Sequence, residues 1–215
     1  PSDASTPGYQ LGEQIRTNFL IPREFSSTRI YDEDYGVAPE ITPCNIANVR
    51  NAWSTGTYGV TTWWTHGSET SAADIFRSSD ASYLNDAYPS FTFQNSCTNG
   101  SPEWSNNLGY ALLRNGAIGT VSASRVSWYW VGQESFTGSP QSNAMMAYAY
   151  TGALTYDSLA AGKALATRKA PLGPVLLDIC PAYGFTDKAK QPYSIRSSGK
   201  TPVAIALARQ AMAMK

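Results

Sequence analysis

The sequence predicts an α/β domain in which a mostly parallel sheet is covered by helices, and three observations carry that reading. Three β-rich apolar runs, at residues 58–67, 90–100 and 117–124, each stop abruptly at a polar or glycine-bearing turn. Between the second and third runs, Trp104, Leu108, Ala111 and Leu112 fall on one helical stripe. The chain has 215 residues, 42% of them hydrophobic, which suffices for one domain with a buried core. Two strands joined through a helix run parallel, because the crossover returns the chain to the same end of the sheet.

Taken in order, residues 1–10 read as coil and 11–20 as a short helix ended by Pro22. A short strand is expected at 28–31, then an acidic turn (Asp32, Glu33, Asp34) and a proline-punctuated loop. Residues 45–56 read as a helix with Ile46, Val49 and Trp53 on one face and Gly56 near its end. The runs 58–67, 90–100 and 117–124 are strands, and Gly116 is a C-cap candidate for the helix before the third. Residues 142–170 suggest two helices broken near Gly152, and 171–185 one strand between prolines. The last segment, 201–215, opens with Thr-Pro and reads as a C-terminal helix.

Charge excludes some functions. Sixteen Lys and Arg balance sixteen Asp and Glu, so a nucleic acid or anionic membrane held by bulk charge is not the partner. No apolar run reaches the ~18 residues of a membrane span. Charged residues are only 15% while aromatics reach 12%, and Ser, Thr, Asn, Gln and Tyr carry the polarity. That surface fits a secreted or cell-surface protein. The opening PSDASTPGYQ has no apolar leader and starts at Pro, as expected of a processed or truncated product.

Three cysteines (Cys44, Cys97, Cys180) and one histidine (His66) bound the chemistry. They are scattered rather than closely paired, so no zinc site and no cofactor is expected. Calcium at the acidic turn is the one metal the sequence leaves open. A disulfide between Cys44 and Cys180 also stays open. His66-Gly67 and Cys97 end neighbouring apolar runs, where functional side chains of parallel sheets collect. A thiol attacks a carbonyl as thiolate, an imidazole can move the proton, and a glycine lets backbone N–H groups approach the oxyanion. Taken alone, a single Cys is more often a small core residue and a single His a structural one.

The surrounding residues sharpen this. WWTHGSET, FQNSCTNG and LGYALLRNGAIGTVSASRVSW, over roughly residues 11–133, resemble the gingipain family of cysteine peptidases within the caspase-like clan. The matching features are His66 to Thr70, Asn99-Gly100 after the Cys, Tyr110 to Leu113, Ser127-Trp128, and RIYDEDYGVAP upstream. The resemblance implies a caspase-like three-layer fold over residues 1–215, lacking the family's N-terminal half. That half would hold the acid orienting the histidine; the chain is then one of two in a processed enzyme, with another chain supplying that half, or a fragment, or a divergent member. It also implies Cys97 as nucleophile, His66 as general acid and base, and the N–H groups of Gly67 and Cys97 as oxyanion hole. Trp128 would cover the side chain preceding the scissile bond, and Asp3 is the candidate anchor for a basic one. Glu69 is expected to fix the loop after His66. The substrate is then a protein or peptide. Two other readings use the same sequence: a degenerate domain serving as a structural or adhesive subunit, and acyl transfer to an amine through the same dyad.

Overall fold

The computed structural model describes residues 8–138 and 141–157. Its elements are α1 (Tyr9–Ile15), α2 (Ile46–Thr55), β1 (Val60–Trp64), β2 (Gly67–Ser68), β3 (Ser71–Ala72), β4 (Phe76–Arg77), β5 (Ser90–Asn95), α3 (Leu108–Arg114), β6 (Ala117–Ser122) and α4 (Asn143–Thr155). The sheet expected from sequence is present: β1, β5 and β6 are parallel, in the order β1–β5–β6.

Alternation along these strands builds a core on each face. Phe93 pairs with Val121 in register and both meet α1 and α4, through Leu11, Ile15, Met145 and Tyr150. One residue on, Trp63 faces the other way and packs with Val49 and Trp53 of α2 and Leu108 and Leu112 of α3. The result is three layers, with helices on both sides of the sheet. Each large apolar side chain buried this way contributes about 1.5–3 kcal/mol. Trp53 adds direction, its ring edge-on to Trp63 at 6.2 Å and its indole N–H donating to Ser90 Oγ. α4 is buried on nearly every side, which is why its sequence shows apolar residues all round rather than one stripe.

Polar caps set where the helices start. Asn45, Asn107 and Ser142 each accept from a backbone N–H three residues on, at Asn48, Tyr110 and Met145. A positive-φ glycine, Gly116, turns the chain from α3 into β6.

Several expectations need correcting. The helix from residue 11 does not stop at Pro22. It runs through a π-helical turn (Arg16–Leu20) into a 3-10 turn (Ile21–Arg23), where proline sits in the first turn and loses no needed N–H; Glu24, at φ 59°, ends it. The strand at 28–31 reduces to a single bridge between Ile30 and Ile41. Trp104 lies before α3, not on its stripe, and is exposed. Gly152 does not break α4; it is there because a β-carbon would lie 2.5 Å from the Phe19 ring. The antiparallel sheet β2–β3–β4 was not anticipated. The second helix expected after Gly152, the strand in 171–185 and the helix in 201–215 fall outside the described residues, as do Asp3 and Cys180.

Candidate active site

The parallel register brings the candidate residues to one end of the sheet. β1 and β5 pair as far as Trp64 and Asn95, and Thr65 N–H still donates to the Asn95 carbonyl. Two residues beyond that last pair, the chain presents His66 on one side and Cys97 on the other. The strands end earlier than the apolar runs suggested, so both residues lie on loops. His66 is exposed and Cys97 half-buried, so both face a solvent-reachable surface.

Gly67 joins the two loops. A β-carbon built on it would lie 2.4 Å from the Cys97 carbonyl oxygen and 2.8 Å from the Cys97 nitrogen, so only glycine fits against this backbone. In the Cys97 loop, Thr98 N–H donates to Arg125 O, Gly100 N–H to Ala123 O and Ser101 N–H to Thr98 O; among the described residues the Cys97 N–H has no backbone acceptor. Thr98 takes φ +50°, a left-handed conformation that costs a β-branched residue strain and turns the loop directly after the cysteine.

Asn99 fastens this arrangement. It is fully buried, its amide donates to the carbonyls of Ser68 and Ser71, and its oxygen accepts from Ser96 Oγ. Ser96 in turn accepts from the Trp63 indole. Asn99 is therefore a structural clamp between the cysteine loop and the β2–β3 turn. Glu69 belongs to the same turn, where its carbonyl accepts from Leu108 N–H.

The segment after β6 forms a third wall. Cys97 Sγ lies 3.6 Å from the Ser127 carbonyl and 3.9 Å from its hydroxyl. Trp128 follows and is 57% exposed. The Tyr129 ring stands edge-on to His66, centroids 6.4 Å apart, and also to Trp64. Sequence reasoning singled out Trp128 but not Tyr129, nor any role for Ser127 beyond the motif. At the other described cysteine, burial, reinforced by the charges of Asp32 and Asp74, pushes the Cys44 thiol up to about 12. The acidic turn beside it spends the Asp34 carboxylate on the N–H groups of Gly36 and Ala38.

A family model described as peptidase family C25 matches residues 3–190. The chain belongs to that family. Family C25 is the gingipain family, so the α/β fold and a cysteine-peptidase kind of function belong to this C25 chain by descent. The match extends past the residues 11–133 that carried the resemblance and takes in α4. No curated protein and no solved structure matches the chain. Among its described residues no helix is long and apolar enough to cross a membrane.

Proposed function

We propose that this C25 chain is a cysteine endopeptidase with Cys97 as nucleophile and His66 as general acid and base. The observation that carries the reading is positional: two loops leave adjacent parallel strands at one level, with Gly67 seated on the Cys97 backbone. In the first step Cys97 Sγ, as thiolate, bonds to the peptide carbonyl carbon, and the carbonyl π electrons move onto oxygen. The N–H groups of Cys97 and Gly67 receive that oxyanion. Collapse expels the amine, which takes a proton from the His66 imidazolium, and leaves a thioester. His66 then removes a proton from water, which attacks the thioester and releases the acid and the thiolate.

Trp128, exposed beside Ser127, fits a lid over the side chain preceding the scissile bond. A preference for a basic residue there rests on the resemblance. A location outside the cell or at its surface fits the low-charge, aromatic-rich composition and the family. A further polypeptide completing the domain is supported by the sheet itself: among the described residues β1 has no partner on its outer edge, where a groove of about 1160 Å³ separates it from residues 25–35.

The test is cleavage of a mixed peptide library by the wild type and by Cys97→Ala and His66→Ala. Each substitution should lower kcat/KM by on the order of 10³-fold or more. Turnover surviving Cys97→Ala overturns the reading, and the library profile gives the preferred residue directly.

A further inference from the structure

Beneath Cys97 lies a buried polar chain that the proposed peptidase steps do not use. Ser127 and Asn143 are each only 5% exposed, and the Asn143 amide donates to Ser127 Oγ at 2.6 Å. We infer that Ser127, oriented by Asn143, is a positioning residue for Cys97 that supplies the hydroxyl hydrogen bond to its thiolate; the inference rests on Cys97 being the nucleophile.

The argument is one of donor and acceptor capacity. A hydroxyl has one hydrogen to give, and an amide donor on its oxygen turns that hydrogen away from the amide. Cys97 Sγ lies 3.9 Å from the Ser127 oxygen as the acceptor of that hydrogen. The Ser127 carbonyl, 3.6 Å from Sγ, accepts from the neutral thiol. One residue therefore meets both protonation states. Its carbonyl takes the S–H of the thiol, and its hydroxyl donates to sulfur once the proton has left, holding the attacking sulfur in place. Asn143 is the first residue of α4, and its N–H donates to the Trp128 carbonyl, so the helix holds the whole segment in place.

A second observation points the same way. Asn143 Oδ1 and both amide atoms of Asn95 are buried without a protein hydrogen-bond partner, around a cavity of about 10 Å³ that Ser127 also lines. Of the polar atoms of the Asn143 side chain, the amide nitrogen has a protein partner among the described residues, and that partner is Ser127 Oγ.

The experiment measures iodoacetamide alkylation of Cys97 by peptide mass spectrometry in the wild type, Ser127→Ala, Ser127→Thr and Asn143→Ala, with kcat and KM on a peptide substrate. Ser127→Ala should slow alkylation about tenfold or more, the worth of a hydrogen bond to a charged group. kcat should fall with KM unchanged, and Ser127→Thr, which keeps the hydroxyl, should restore both. Asn143→Ala should slow alkylation less, since the hydroxyl remains but is no longer oriented. Melting curves establish that each variant is folded. Wild-type alkylation rates in Ser127→Ala, or equal slowing in Ser127→Ala and Ser127→Thr, overturn the inference while Cys97 stands as nucleophile. Alkylation of wild-type Cys97 no faster than that of Cys44 overturns the nucleophile assignment itself.

Discussion

Gly67 is where a single atom decides the most. A methyl there meets backbone on the Cys97 side, which cannot swing away as a side chain would. Gly67→Ala should cost about 1–3 kcal/mol of stability by forcing the two loops apart. It should also abolish most peptide cleavage in protein that is still folded, as read by thermal melts and a cleavage assay on the same sample. A variant that melts and cleaves like the wild type would mean the loops are not packed this way. Residues of this kind were legible in the sequence because they end recognisable apolar runs. Ser127 and Asn99 were not legible in their roles. Ser127 meets Cys97 30 residues away and Asn143 16 away, and Asn99 reaches two backbone carbonyls 28 and 31 residues away, which leave no mark on residue type.

Elements fold as read when a local signal and a tertiary one agree. α2 and α3 carry both an asparagine cap and an apolar face that meets the sheet, so their placement followed from pattern. The strands β2, β3 and β4 are two residues each, too short for any alternation to register. Their place depends on Asn99, which bonds the carbonyls of Ser68 and Ser71 on either side of the β2–β3 turn. Asn99→Ala should leave those acceptors unpaired and lower stability by about 2–4 kcal/mol, measured by urea denaturation. Asn99→Asp should be worse, since it sets an acceptor-only oxygen against two carbonyls. If both variants unfold at the wild-type urea midpoint, the clamp does not hold.

Across the whole molecule, Arg29 fastens the N-terminal helix to the segment that crosses in front of the sheet. Its guanidinium bonds Glu13 of α1, Glu40, and the carbonyls of Val37 and Ala38, while Tyr31 also donates to Glu13. Hydrogen bonds from Arg29 hold the Glu40 carboxyl down at about 2, against an ordinary value of 4.5. A carboxyl depressed on folding stabilises the native state above its ordinary value, and that contribution is lost as pH falls toward 2. Glu40 is 40% exposed, so the contribution is about 1 kcal/mol or less. Arg29→Leu should therefore be less stable than the wild type at pH 7, with the Glu40 part of the difference closing between about pH 4.5 and 2 in denaturation series. A constant difference across that range would remove Glu40 from the account. The three-layer order was readable in advance, because helix and strand periods alternate along the chain. The open flank of β1 was not, since nothing in five apolar residues says how many neighbours a strand has.

The lone imidazole carries a practical consequence. With one histidine in the chain, set edge-on to Tyr129, its ring carbon protons form an unduplicated pair of magnetic resonances displaced by the neighbouring ring current. Titrating that pair before and after capping the sulfur would read whether nitrogen and thiol sense each other, with no substrate and no second mutant.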